Sequence, residues 1–305
     1  MTLNYVITEQ TKDKTIERYL LEQGYSQSLI RHLRNTENGV SAGGVPVYTT
    51  HKLMSEEVLT ITFPEEKNSE HIVPSQMPLH ILFEDEHLMV INKEAGIPIH
   101  PSQGNFDNTL ANGLAYYFLK KQEPFTFRAI NRLDRDTTGL LIVAKNPLSA
   151  CILSDMVKKH EIQRRYLAIA SGKLPPEGII DAPIARVSGS TIERCVDMAH
   201  GEWARTRYQC LAYDPVTDHS LVGLRLETGR THQIRVHLKS IGHPLPGDFL
   251  YNPDYRYIKR QALHSFRLNF HHPITKVSLS FQTALPMDMQ FIGIPSTEGL
   301  WDNDF

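Results

Sequence analysis

The chain has 305 residues, which suits one large domain or a large domain with a small accessory one. Hydrophobic residues make up 41% of it, so the composition excludes collagen-like and disordered proteins. The formal net charge of −2, taken alone, argues against a nucleic-acid partner.

The cysteines and the apolar runs indicate the compartment. Cys151, Cys195 and Cys210 form no CxxC pair, and three cysteines suit small core positions in a reducing environment. There is no apolar run of about 18 residues and no apolar signal segment at the N-terminus. We therefore expect a cytoplasmic protein that does not associate with membranes.

Two short helices are predicted near the N-terminus. Asp13 is the expected cap of the first, which should end at Gly24, and Ser26 is the expected cap of the second, which should end at Gly39. The residues expected on their apolar faces are Ile16, Tyr19, Leu20, Leu29, Ile30 and Leu33.

Strands at 45–47 and 58–62 complete a predicted small domain, residues 1–63. Arg31 and Arg34 lie off the apolar face of its second helix. Residues 64–78 are polar and unpatterned, which predicts a linker.

Residues 79–305 predict a β-rich body. Residues 139–145 have the composition of a buried strand, and Asn146 followed by Pro147 predicts a helix start. Alternating or apolar segments predict further strands at 81–83, 88–91, 164–171, 204–212, 220–226, 266–270 and 277–281. Strands outnumber helices without alternating regularly with them, so we expect an α+β fold with a mixed, mainly antiparallel sheet.

The segment NRLDRDTTG, residues 131–139, places Asp134 and Asp136 among two arginines just before the buried strand. A neighbouring arginine keeps a carboxylate ionised, as a reactive carboxylate requires. A solvated salt-bridge loop is the alternative, and for this short pattern alone it is the default.

Residues 226–242 predict an amphipathic helix that follows a strand. Ile234, Leu238 and Ile241 share one face, while His232, Arg235 and Lys239 share the opposite, cationic face. Thr228 or Thr231 is the expected cap, and Arg230 should project from the positive start of the helix. An ordinary surface helix is the alternative.

Four segments occur together in a fixed order: NRLDRDTTG (131–139), RRYLAIASG (164–172), TGRTHQIRVH (228–237) and GDFLY (247–251). In this order they resemble the signature of the RluA-type pseudouridine synthases. The resemblance extends over about residues 80–285, and the first 62 residues resemble the S4 RNA-binding domain that often accompanies this catalytic domain.

The resemblance implies an enzyme that converts chosen uridines in RNA to pseudouridine. It implies that Asp134 is the essential carboxylate, that Tyr166 packs on the target base and that Arg230 pairs with Asp134. It also implies that Arg132 fills the space left by the base. The other residues we expect to contact RNA are Arg135, Arg164, His232, Arg235, Lys239, Arg31 and Arg34.

Moving a glycosidic bond from N1 to C5 of uracil involves no redox change, so we expect no cofactor and no metal. A monomer is the default expectation. The combination with an S4-like domain favours ribosomal large-subunit RNA over transfer RNA. The alternatives are a synthase acting on transfer RNA, a non-catalytic ribosome-assembly factor and, more weakly, a metal-dependent nuclease.

The sequence departs from the family pattern at several positions. Asn131 stands where histidine is usual, Glu94 where proline is common, and Glu202 near a frequent lysine. Residues 42–44 replace a usual Asn-Gly. The departures at Asn131 and Glu202 favour the non-catalytic alternative, whereas the intact Asp134, Tyr166 and Arg230 argue against it.

The distribution of charge changes the conclusion drawn from the total. Residues 128–173 hold nine Lys and Arg against four Asp and Glu, and residues 225–267 hold eight against three. Each of these motif-bearing segments therefore carries a net +5 within an otherwise acidic chain. Local phosphate binding is compatible with the near-neutral total.

Overall fold

The computed structural model describes residues 1–293. Its N-terminal unit comprises β1 (Thr2–Val6), α1 (Ile16–Glu22), α2 (Gln27–Arg34), β2 (Val40–Ala42), β3 (Val45–Pro46) and β4 (Val58–Thr62). The four strands form an antiparallel sheet in the order β1-β4-β2-β3. The two predicted helices and the strands at 45–47 and 58–62 are confirmed.

The helix ends of this unit were predicted with mixed success. Ser26 caps α2 as predicted, since its side chain accepts a hydrogen bond from Leu29 N. The expected cap Asp13 was wrong, because Asp13 has a φ of +64° and the side chain of Thr15 caps α1 instead. The expected end at Gly39 was also wrong, since α2 already ends at Arg34.

The larger body contains the remaining elements. They are β5 (Ile81–Glu84), β6 (Leu88–Lys93), α3 (Leu110–Lys121), β7 (Thr138–Ala144), α4 (Pro147–Lys158), β8 (Gln163–Ser171), β9 (Glu177–Asp181), β10 (Ile184–Arg186), β11 (Arg194–Val196), β12 (Arg205–Asp214), β13 (His219–Leu226), α5 (Gln233–Ser240), β14 (Leu263–His271), β15 (Ser278–Gln282) and a 3₁₀ turn, Met287–Met289. The predicted body extends to residue 305, and its last twelve residues lie outside the described part.

Nine of these strands form one sheet in the order β5-β6-β7-β14-β8-β13-β12-β9, with β15 also paired to β14. β7 and β14 run parallel, and the other neighbours in this sheet are antiparallel. The predicted mixed, mainly antiparallel α+β fold is therefore confirmed. β10 and β11 form a separate hairpin.

The central strands are buried on both faces. In β6, Leu88 and Val90 belong to one apolar core, whereas Met89 and Ile91 belong to another on the opposite face. The first core includes α4 and the N-terminal unit, and the second includes α3, α5 and Tyr166. The N-terminal unit thus packs behind the sheet, on the face opposite α5.

The predicted linker, residues 64–78, contains neither helix nor strand but is bonded along its length to the larger body. Arg128 donates to Glu66 at 3.0 Å, and Ser69 N donates to Phe125 O at 3.3 Å. Within residues 1–293, no helix is long and apolar enough to cross a membrane.

Candidate active site

Asp134 lies in a tight loop that enters β7. Thr137 N donates to Asp134 O at 3.1 Å, and the neighbouring Leu133 is buried in the core. Gly139 has a φ of +108°, and a Cβ there would lie 2.2 Å from Ser265 O. Only glycine lets β7 approach β14 at this point, so the end of the loop is fixed by the sheet.

Two cationic side chains hold the backbone of this loop from behind. Lys93 is 2% exposed and donates to Arg135 O at 2.8 Å and to Glu94 O at 2.7 Å. Arg260 donates to Asp136 O at 3.3 Å while it also binds Asp288. Burial lowers the pKa of Lys93 to about 7, although the charges of the two loop aspartates oppose this shift.

Arg235 is the ion-pair partner of Asp134. Its Nη1 lies 2.8 Å from Asp134 Oδ2, and its Nε and Nη2 each lie 2.7 Å from an oxygen of Asp248. The expectation that Arg235 lies on an exposed cationic helix face was wrong, because its side chain is only 2% exposed. Burial opposes its charge, but the bonds to Asp248 and the charge of Asp134 raise its pKa overall.

The expectation that Arg230 pairs with Asp134 was wrong. Arg230 binds Glu202 and donates through Nε to Trp203 O at 3.0 Å. The reason is local: Arg230 lies in the turn before α5, whereas Arg235 lies inside the helix on the side that faces the loop. The ion-pair partner of Arg230 is thus Glu202, one of the departures from the family pattern.

His232 closes another side of the site. It adopts a φ of +57° at the N-cap of α5 and makes no side-chain cap bond, so the expected caps Thr228 and Thr231 were wrong. Its Nδ1 lies 2.9 Å from the Tyr251 hydroxyl, and its Nε2 lies 3.9 Å from Asp134 Oδ2. Burial lowers the pKa of His232 to about 4, so this imidazole is neutral at pH 7.

Asp134, whose side chain is 19% exposed, lies between two cavities. A groove of about 770 Å³ is lined on one side by Asp134, Arg132, Arg135 and Phe249. A smaller hollow of about 60 Å³ is lined by Asp134, Tyr166, Leu226, Arg230, His232 and Arg235. Burial raises the pKa of Tyr166, so its phenol stays neutral beside the carboxylate.

The other sequence-predicted residues occupy different places. Arg135 binds Asp136 at 2.8 Å, which gives the second carboxylate of the loop a partner of its own. Arg164 lines a neighbouring cleft, and Lys239 is exposed on α5 with Nζ 5.2 Å from the Tyr251 ring centre. Arg31 and Arg34 are exposed on α2 of the N-terminal unit, and the two cavities are lined by other residues.

Sequence reasoning gave no role to Lys93, Asp248 or Arg260. Asp248 lies within the quoted GDFLY segment, but its partner could not be identified without the fold. Asn131, which replaces the usual histidine, keeps a structural bond, because its Oδ1 accepts from Ile142 N at 2.9 Å. The amide oxygen of Asn131 thus ties the start of the loop to β7.

Comparison with known proteins gives the site its context. The family model for RNA pseudouridylate synthase matches residues 87–240, a span that includes Asp134, Tyr166 and Arg235. The chain belongs to the RNA pseudouridine synthase family. The resemblance predicted from the four ordered motifs is confirmed, and so is the assignment as an enzyme of this class.

Curated relatives agree with this membership. The RNA pseudouridine synthase YjbO of Bacillus subtilis strain 168 is 40% identical over 277 residues, which are 90% of this chain and 96% of the relative. Ribosomal large subunit pseudouridine synthase D of Zymomonas mobilis is 40% identical over 79% of this chain and 80% of the relative. The Escherichia coli K12 protein of the same name is 32% identical over 94% of this chain and 92% of the relative.

Solved structures support the fold of the synthase body. Human RNA pseudouridylate synthase domain containing 1 superposes with a TM-score of 0.56 at 28% identity and covers 68% of this chain and 83% of its own. Human RNA pseudouridylate synthase domain containing 4 superposes with a TM-score of 0.55 at 26% identity and covers 69% of this chain and 90% of its own.

Proposed function

We propose that this synthase converts specific uridines of ribosomal large-subunit RNA to pseudouridine and that Asp134 is the reacting carboxylate. The observation that carries the proposal is the geometry of Asp134. It is partly exposed between two cavities, and a buried arginine holds one of its oxygens at 2.8 Å. The ribosomal substrate is supported by two of the relatives, which are named ribosomal large subunit pseudouridine synthase D.

The reaction conserves every atom of the uridine. The bond from C1′ to N1 breaks, a bond from C1′ to C5 forms, the proton on C5 leaves and N1 gains a proton. No electrons are exchanged with a second reactant, so the isomerisation itself requires no cofactor. A carboxylate held beside a cation is suited to attack the base or the sugar, or to remove the proton.

The target base must leave its stack before Asp134 can reach it, at a cost of a few kcal/mol. We propose that the hollow beside Asp134 receives the base and that Tyr166 packs on it. We also propose that Arg132, which is exposed at the adjoining groove, occupies the space that the base leaves in the RNA.

We also propose that residues 1–63 form an S4-like RNA-binding domain, followed by a linker at 64–78 and a catalytic domain from residue 79 on. Arg31 and Arg34 are exposed on α2, whose opposite face is buried against the core. This places two cations on the outer face of the unit, where a phosphate backbone can reach them. An enzyme with a ribosomal substrate is expected to act in the cytoplasm.

The test uses full-length protein and an unmodified transcript of large-subunit ribosomal RNA. Wild type should form pseudouridine in the presence of a chelator, and Asp134→Asn should lower the rate at least ~10³-fold with little change in RNA affinity. Activity on transfer RNA transcripts alone would contradict the ribosomal substrate. Deleting the gene without loss of any cellular pseudouridine would favour a non-catalytic assembly factor.

A further inference from the structure

A second cleft of about 520 Å³ opens next to the hollow that contains Asp134. Leu226 lines both spaces. Arg230 also joins them, because it lines the hollow and donates to the backbone oxygen of Trp203, which lines the cleft. A strand that leaves the hollow on this side therefore passes directly into the cleft.

Trp203 gives the cleft a flat apolar surface. Its side chain is 50% exposed, although a tryptophan gains most from burial. The indole Nε1 donates to Asp181 Oδ1 at 3.0 Å, which holds one edge of the ring. The ring is thus anchored by its polar edge while much of its apolar surface remains open to solvent.

Positive side chains line the same cleft as this ring. Arg164, Arg207 and Arg225 line the cleft, and the acidic residue among its lining is Glu227, which pairs with Arg207. Arg164 has no ion-pair partner within residues 1–293, and its guanidinium nitrogens lie 3.7 Å from the position of a Cβ added to Gly229. The cleft therefore carries a net positive charge at the edge nearer the active site.

An exposed aromatic ring beside arginines is the arrangement with which proteins bind single-stranded nucleic acid, since bases stack on the ring and phosphates bind the cations. We infer that this cleft binds the RNA strand flanking the target uridine, with one base stacked on Trp203 and the backbone held by Arg164. The inference rests on the proposed function and extends it to the unpaired nucleotides beside the reacting uridine.

The first experiment measures the affinity of the full chain for a labelled oligouridylate of about 12 nucleotides by fluorescence anisotropy. Trp203→Ala should raise Kd about tenfold, whereas Trp203→Phe, which keeps a stacking ring, should raise it about twofold. Arg164→Gln should raise Kd several-fold and reduce its dependence on salt. Val216→Ala is the control, because Val216 is 90% exposed in the turn between β12 and β13 and does not line the cleft.

The inference is overturned if Trp203→Ala and Val216→Ala bind the oligonucleotide with Kd values within twofold of each other. A second experiment measures pseudouridine formation in the unmodified large-subunit transcript. Trp203→Ala should raise KM about tenfold with kcat nearly unchanged, because the cleft acts on binding and Asp134 on the chemistry. If the oligonucleotide binds in a Trp203-dependent way but wild type forms no pseudouridine, the proposed function is refuted and the inferred RNA-binding role of the cleft stands. If wild type and Trp203→Ala form pseudouridine with the same KM, only the inferred RNA-binding role of the cleft is refuted.

Discussion

Asp248 binds two nitrogens of Arg235 at 2.7 Å each and leaves Nη1 of the same guanidinium to bind Asp134 at 2.8 Å. A guanidinium is planar, so two bonds on one side fix the direction of the third nitrogen. Asp248 is fully buried. The orientation of the Asp134 carboxylate therefore depends on Asp248, a residue that contacts it only through Arg235.

Replacing Asp248 by asparagine should weaken this support, because an amide oxygen accepts a weaker bond than a carboxylate and the amide nitrogen repels the arginine donors. We expect single-turnover pseudouridine formation to slow ~10–100-fold, with RNA affinity changed less than ~3-fold. Asp254→Asn is the control, since Asp254 pairs with an arginine that is 74% exposed. A folded Asp248→Asn protein with the wild-type rate would show that Arg235 needs no such support.

Lysine substitutions can establish which arginine serves Asp134. Lysine keeps the charge but lacks the fork that lets Arg235 bind two carboxylates at once. Arg235→Lys should therefore lower the single-turnover rate ~10²–10³-fold, and Arg230→Lys less than ~10-fold, because the Arg230 pair with Glu202 is exposed. The reverse order of effects would restore Arg230 as the functional partner of the carboxylate.

The two arginines show why the sequence alone assigned this role wrongly. They lie five residues apart in one motif, and the start of α5 decides which of them faces the Asp134 loop. That start is His232 in a left-handed conformation without a side-chain cap, a state stabilised by contacts from distant segments such as Tyr251. Within the motif, Gln233 Oε1 accepts from Thr228 Oγ1 and from Arg230 N and so helps to shape this turn, but the spacing of the apolar residues does not indicate these bonds.

Helix starts with local signals were predictable. Ser26 and Asn146 both accept from a backbone N–H three residues on, so the interaction that starts α2 or α4 lies within one turn of sequence. α3 begins with a comparable capping box at Thr109 and Asn112 but was missed, because asparagine replaces the acidic residue that usually marks this motif. The strands with apolar runs, such as β6 and β7, were predictable because they are buried on both faces. β1, β9, β10 and β11 were not predicted, because they are short and only partly buried.

Because of Lys93, the free energy of unfolding should rise with pH above about pH 7. Its pKa in the folded protein is about 7, below the ordinary value of 10.5, so between these values the unfolded chain binds more protons than the folded one. Stability must therefore rise with pH across this window. Relative to Lys93→Met, wild type should gain ~2 kcal/mol between pH 7 and pH 9.

Urea unfolding of both proteins at the two pH values measures this difference, and the other titrating groups largely cancel because the two proteins share them. Lys93→Met should also slow catalysis, since the bond from Lys93 to the backbone oxygen of Arg135 is lost. A pH dependence of stability identical in the two proteins would mean that Lys93 titrates normally in the folded state.

The last prediction concerns the contact between the N-terminal unit and the synthase body. Gly24 has a φ of +88°, and a Cβ on it would lie 2.7 Å from Cγ1 of Ile152 in α4. Gly43 has a φ of +56°, and a Cβ there would meet nothing within 4 Å. Alanine at either position strains the backbone by ~1 kcal/mol, but only at Gly24 does it also collide with the other unit.

We expect Gly24→Ala to cost ~1–2 kcal/mol more than Gly43→Ala in denaturant unfolding, because Ile152 lies in a close-packed core. Combining Gly24→Ala with Ile152→Ala should cost less than the sum of the single changes, since the smaller side chain removes the collision. Additive costs, or equal costs for the two glycine variants, would show that the N-terminal unit does not pack against α4 in solution. In that case the proposed RNA-binding unit would be tethered to the body only through residues 64–78.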